Sequence, residues 1–234
     1  MKKKQMSKLA TEKRVQKMRK LRDEYLKIVD QLHVKLQSGN TKTGMSCWTV
    51  STLPVIDCIN CKYCMYECYD LRNDCRFENV IKDRARNSAI HLTDPERFWR
   101  EVEEQIDLLG VPFLRINVGG DLRYDDFTVV NDIAKRNRGC RLLFFTKNYK
   151  ELNVWLDNNG DFVGNVSDIW SRWEDLPSDN RHNVPEAHVL YEDGRTTAPE
   201  YGAYFCQGNC SRCGIKVEGC WALKKGESVV FKNH

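Results

Sequence analysis

Four cysteines, Cys58, Cys61, Cys64 and Cys68, fall within the short stretch CINCKYCMYEC. Four more, Cys206, Cys210, Cys213 and Cys220, recur near the C-terminus. The thiolate is a soft ligand, and clustered thiols in a reducing compartment more often hold metal than pair as disulfides. The first cassette, C-x2-C-x2-C-x3-C, has the spacing of a bacterial ferredoxin run, in which three cysteines hold one cubane cluster and the fourth serves another. The proline that follows that run is replaced by Tyr69. The second cassette opens C-x3-C-x2-C, a triad that suits three corners of a [4Fe–4S] cluster. Zinc favours two C-x2-C knuckles on a longer spacer. The spacing therefore favours iron–sulfur, with zinc as the alternative. The ferredoxin pattern also raises the expectation that the cassettes meet, with Cys68 or Cys220 crossing to the other cluster. Cys47, Cys75 and Cys140 stand alone and are assigned no role, because an isolated cysteine is usually a small buried hydrophobe.

The thiols need a body to position them. The chain has 234 residues, enough for one large domain or one with appendages, and 41% hydrophobic residues, enough for a core. No apolar run approaches the roughly 20 residues that span a bilayer, and the basic N-terminus lacks the apolar segment of a secretory signal. A cytosolic location without membrane contact is expected. Charge is uneven: residues 1–37 carry twelve Lys/Arg against four Asp/Glu, a net of +8, and since the whole chain is +4, the remainder is −4. Val15, Met18, Tyr25, Ile28, Leu32 and Leu36 recur at helical steps, so the spacing predicts one basic amphipathic helix over 1–37, stopped by Ser38-Gly39-Asn40. Such a helix packs on the body with a solvated basic face, or it meets nucleic acid or another acidic partner.

Residues 38–205 read as the α/β body, and 206–234 as a cysteine-rich metal-binding tail. Trp48–Leu53 is a predicted strand ended by Pro54, with the first cassette directly after it. A helix over 76–91 follows. Thr93-Asp94-Pro95-Glu96 opens another with a capping-box pattern, carrying Phe98, Val102, Ile106 and Leu109 to a stop at Gly110. Phe113–Val118 is a strand running into Gly119-Gly120-Asp121. A helix through Phe127, Val130, Ile133 and Ala134 stops near Gly139, and Arg141–Thr146 is a third strand. Weaker strands lie near Val166–Trp170 and His188–Tyr191. Alternating strands and helices imply parallel strands with right-handed crossovers, a βα barrel or half-barrel. Arg115, Asn117, Asp121 and Lys147 then fall near the carboxyl edge of the sheet, where ligands gather in such folds. His188 reads as a structural histidine before a ligand or base. Trp170 and Trp173 read as core or shielding, and Trp221, beside Cys220, as a limit on water access to a cluster.

Two resemblances follow. A cysteine loop after the first strand, with a second strand ending in Gly119-Gly120-Asp121, resembles the first two βα units of radical S-adenosylmethionine (SAM) enzymes. It implies a cluster on three cysteines of the first cassette, with Cys58 or Cys61 spared. It further implies a SAM amine on Asp121 beside Gly119 and Gly120, and Arg115 or Lys147 neutralising the SAM carboxylate. Here Asp replaces the Glu of that family's Gly-Gly-Glu motif, and the C-x3-C-x2-C triad lies near the C-terminus. The stretches SGNTKTG, CWTVSTLP, CY at 68–69, RINVGGDL, LFFTKNY, HVLYEDGRTTAPEYG, QGNCSRCG and GCWALKKGESVVFKNH together resemble an uncharacterised cysteine-rich family of phages and prophages of Gram-positive bacteria. That family is related to the gene product 88 family. It implies a mobile-element protein and carries no established reaction.

Overall fold

The computed structural model describes residues 7–39, 44–74 and 77–232, with residues 73 and 74 described by their backbone alone. Cys75 and part of the SGNTKTG stretch lie outside the described residues.

The body is one open sheet of seven strands, all parallel: β1 (Cys47–Val50), β2 (Phe113–Ile116), β3 (Arg141–Thr146), β4 (Val166–Ser171), β5 (Glu186–Leu190), β6 (Tyr204–Phe205) and β7 (Ser228–Lys232). The order is β1-β2-β3-β4-β5-β7-β6, so the last strand slots between β5 and β6 and carries part of the cysteine-rich tail into the sheet. This is the parallel βα architecture expected from the alternation of elements, and it does not close into a barrel.

Side chains alternate across the sheet. Leu114, Ile116, Leu142, Phe144 and Trp170 turn to one face, where they pack with Phe98, Trp99, Val102, Phe127, Val130, Trp155 and Tyr149 from the covering helices. Those helices are α3 (Glu78–Thr93), α4 (Pro95–Leu109), α5 (Tyr124–Arg136) and α6 (Tyr149–Asn159), after α1 (Lys8–Leu26) and α2 (Tyr69–Asp74). Cys47, Leu143, Ile169, Ala187 and Val229 turn to the other face, under the second cassette and α7 (Cys210–Lys216). Gly214 of α7 lies so close to the Phe113 ring that a Cβ there would sit 2.7 Å from it.

The N-terminal segment departs from the predicted long helix. After α1 the chain makes a short 3-10 turn at Val29–Gln31 and then runs extended. Leu32, Val34 and Leu36 are all buried, which is the two-residue period of an extended chain. Side chains of the covering helices take its backbone donors: Val34 N–H donates to Glu101 Oε2 (2.7 Å), and Lys35 N–H to Asn87 Oδ1 (2.8 Å). Gln37 then exchanges two hydrogen bonds with Thr49 and covers the β1 edge. Helix α1 itself packs on α3, burying Met18 completely against Leu53, Leu71, Ile81 and Ala85. The cap of α4 also shifts by one residue: Asp94 accepts from Arg97 N–H at 2.9 Å, while Thr93 closes α3 by donating to Ala89 O.

Among the described residues no helix is long and apolar enough to cross a membrane.

Candidate metal centre

Beyond β1 the pairing runs on to Thr52, whose N–H donates to Gly119 O at 3.1 Å, before Pro54, which cannot continue a ladder. The chain turns there through Val55 at φ 68°, a left-handed conformation that a β-branched residue rarely adopts. The turn aims Val55 N–H at Cys58 Sγ, 3.3 Å away. Leu71 N–H likewise donates to Cys68 Sγ at 3.4 Å. The first cassette thus lies at the carboxyl edge of the sheet, with backbone donors already on two of its sulfurs.

Lys147, just past β3, is the cation of this set. Burial works against its charge, but Cys64, Cys58, Asp121 and Cys68 hold its pKa above the usual lysine value. Its carbonyl accepts from Asn60 Nδ2 at 2.6 Å, which ties the cassette loop to the end of β3. Cys61 and Cys68 both pack against the cluster around Met18 and Leu53, and the charges acting on Cys61 include Cys64 and Arg19 of α1. Burial raises the pKa of Cys58, Cys61 and Cys68, the last to about 12. Neutral thiols there become ligands only against a strong positive charge.

Gly119-Gly120-Asp121 stands beside this cassette in a tightly packed turn. A Cβ on Gly119 would lie 2.4 Å from Asp70 Oδ2, and one on Gly120, at φ 89°, 2.0 Å from Thr52 Oγ1. Asp70 makes a buried ion pair with Arg84 of α3. The two glycines therefore admit the end of β1 and the start of α2. The Asp121 carboxylate accepts from Thr146 Oγ1 (2.6 Å), Lys147 N–H (3.0 Å) and Leu122 N–H (2.9 Å), which clamps the β2 and β3 ends together. Burial raises its pKa to about 6, against the pull of those donors. Asn117, at φ 53°, spends its N–H on Val50 O.

The second cassette covers the other face of the sheet, over Arg115 of β2. Arg115 Nη1 donates to Cys210 Sγ at 3.5 Å, its guanidinium lies 5.5 Å from the Phe145 ring, and its Nε is buried with no hydrogen-bond partner. Cys210, Cys47 and Cys220 all act on it electrostatically, and so does Tyr69, next to Cys68. Arg115 therefore stands between the two cassettes. The neighbouring Cys47 thiol and the Arg115 charge lower the Cys210 thiol to about 6, against burial. Cys47, whose Sγ lies 3.9 Å from Trp48 O, is held protonated by Cys210 and by burial. Cys206, Cys213 and Cys220 are raised by burial, and Cys220 acts with all three other thiols of its cassette. Gly208 N–H donates to Cys206 Sγ at 3.4 Å, and Trp221 Nε1 donates to Cys210 O at 3.0 Å with its ring against Phe113.

Cys47, which spacing alone left without a role, belongs to this second set. The signal was its position at the start of β1, two residues before Thr49 and so on the same face of the strand. His188 is buried, bonding Thr197 Oγ1 (2.9 Å) and Ser228 Oγ (3.3 Å), as a structural histidine does. Trp170 stacks on Tyr149 in the core, while Trp173 lies under the Lys147 ammonium.

Among the described residues, no three His, Cys, Asp or Glu side chains close in on one ion-sized centre. The donors are thiols throughout, gathered in two sets, each facing one cation. Thiol donors suit thiophilic metals, zinc and iron–sulfur clusters alike.

The residues from α1 to β5 match one described family, Gene product 88, over 16–188. The chain belongs to the Gene product 88 family. The matched span includes the first cassette, the Gly-Gly-Asp turn and Lys147, and it ends before the second cassette. No curated protein and no solved structure matches the chain.

Proposed function

We propose that this member of the Gene product 88 family is a phage- or prophage-type iron–sulfur protein of the bacterial cytoplasm, with clusters of the [4Fe–4S] type on its two cysteine cassettes. The observation that carries the reading is the pairing of each thiol set with one buried cation and with backbone N–H donors already on sulfur. Hydrogen bonds and charge near the sulfurs set the potential of such clusters. Cys58, Cys61, Cys64 and Cys68, beside Lys147, would hold one cluster; Cys206, Cys210, Cys213 and Cys220, beside Arg115, the other. When bound, a cluster of this kind supplies one-electron transfer and, with an open iron, the reductive cleavage of SAM. Zinc is the less favoured metal, because it prefers two C-x2-C knuckles on a longer spacer, whereas the first cassette has ferredoxin spacing.

The deciding experiment is anaerobic purification of the full chain, with metal and sulfide analysis and a visible spectrum. About four irons and four sulfides per occupied cassette are expected. Stoichiometric zinc without sulfide overturns the reading.

A radical-SAM-like activity is a second reading, favoured by one observation: the first cassette follows β1 and stands beside the Gly119-Gly120-Asp121 turn at the end of β2. Three ligands with one spared is what an open iron requires. Asp121 would have to exchange one of its three present donors for the SAM amine. Dithionite reduction with SAM should then yield 5′-deoxyadenosine. No product, with no spectral change on adding SAM, leaves an electron-carrying or structural role.

A further inference from the structure

Three neighbouring strands end in a row of cationic and aromatic residues that, Lys147 apart, the cassettes do not use. Lys147 follows β3, Arg172 and Trp173 follow β4, and Tyr191 follows β5. Between the last two strand ends lies a cavity of about 130 Å³, open on one side, lined by Arg172, Trp173, Tyr191, Arg195, Glu174 and Thr196 among others. Ligands of parallel α/β sheets gather at this edge.

Arg172 is the notable group. Its Nε and Nη1 are closed off and hydrogen-bond to nothing, while the exposed quarter of its side chain lines the cavity. Its carboxylate neighbour is Glu186, 3.5 Å from Nε, and Glu186 also accepts from Asn180 (3.0 Å) and faces His188 (3.6 Å). The guanidinium is therefore only partly satisfied within the protein. A guanidinium presents paired donors that match the oxygens of a carboxylate or phosphate. Arg195 lies across the cavity with its guanidinium over the Tyr191 ring at 5.1 Å. Its ion pairs, to Asp193 at 2.9 Å and Glu174 at 3.9 Å, are exposed and weakly held.

We propose that this cavity binds the oxyanion head, phosphate or carboxylate, of a small ligand, with Arg172 as its principal partner. The size admits a head group and little more. The rest of the ligand would leave through the open side across Trp173, whose other neighbour is the Lys147 ammonium, 5.7 Å from the ring. That path leads toward Cys58, Cys64 and Cys68. The binding step itself is independent of whether the cassettes hold clusters, so the two ideas fail separately.

The test uses the full chain as purified, at fixed ionic strength, titrated with inorganic phosphate and separately with acetate. Calorimetry and tryptophan fluorescence report binding, and Trp173→Phe identifies the responding ring. One anion should saturate in the millimolar range or below, and which one does so names the head group. Arg172→Gln, with an unchanged circular dichroism spectrum, should weaken that binding roughly tenfold or more. If Arg172→Gln does not fold, exposed Arg195→Gln should still weaken it severalfold. Saturation by neither anion up to about 50 mM, or an undiminished affinity in the folded variant, overturns the proposal.

Discussion

Arg115 Nη1 lies 3.5 Å from Cys210 Sγ, which ties β2 to the first turn of α7 across 95 residues of chain. The contact explains why an arginine is tolerated on a strand between two core positions, Leu114 and Ile116. Its charge is offset by Cys210 and the Phe145 ring, and Asp70 lies within its electrostatic reach. Replacing it with methionine should keep the packing but leave the thiols without a cation. With a cluster in place, the Arg115→Met potential should move negative by some tens of millivolts, since reduction adds negative charge beside a lost cation. A redox titration that superimposes on the wild type would separate Arg115 from the centre.

The Gly120 position should tolerate no side chain. Its φ of 89° disfavours any L-residue, and a Cβ would meet Thr52 Oγ1 at 2.0 Å. Gly120→Ala should cost ~3 kcal/mol or more, read as a fall in the urea midpoint. Adding Thr52→Gly should recover the steric part and leave the backbone strain. A Gly120→Ala protein of wild-type stability would mean that the turn is looser than its geometry.

Helix α1 should behave as part of the body before it behaves as an arm. Met18 is fully buried under the first cassette's loop, and Arg22 pairs with Asp57 of that loop at 3.3 Å. Met18→Ala should therefore destabilise by about 2–5 kcal/mol. Removing residues 1–36 would also strip Leu32, Val34 and Leu36 from the core, so truncation cannot isolate a nucleic-acid function. Reversing exposed charges does isolate it. Lys13→Glu, Lys20→Glu and Lys27→Glu together should leave the melting temperature nearly unchanged. If α1 contacts phosphates, they should abolish salt-sensitive binding to DNA or RNA. Equal binding before and after reversal removes the helix from that role.

Much of the architecture was legible because it rests on local patterns. The strands expected at 113–118 and 141–146 appear as Phe113–Ile116 and Arg141–Thr146, and α4 carries its own cap and stop. What stayed hidden depends on partners distant in sequence. Leu32 and Leu36 satisfy a helical step as well as an extended one; Val34 decides between them only because Glu101, Asn87 and Gln105 accept from the extended backbone. Strand β7 forms at the chain's end because β5 and β6 leave a gap for it. The cassettes were visible as ligand spacing, but not the cations beneath them, nor Cys47, whose partner lies beyond residue 200. The glycines at 119 and 120 stood out as a turn; their close approach to Thr52 and Asp70 needed coordinates.

Asp168 gives a pH dependence with a definite sign. Burial on β4 lifts its carboxyl to about 7; nearby Asp161 adds to that, and Lys225 opposes it. In the unfolded chain the same group titrates near 3.9. Between those values the folded protein holds a proton that the unfolded chain has released. Stability from this group is therefore full below about pH 4, falls as pH rises, and is lost above about 7. Asp168→Asn removes the titration. It should match the wild type near pH 4 and exceed it at pH 8 by on the order of 2–4 kcal/mol. Asp121 titrates in an overlapping window. Subtracting the variant's melting curve from the wild type's across pH 4–8 cancels that contribution. A flat difference would show that the Asp168 carboxylate finds water or a cation when it ionises.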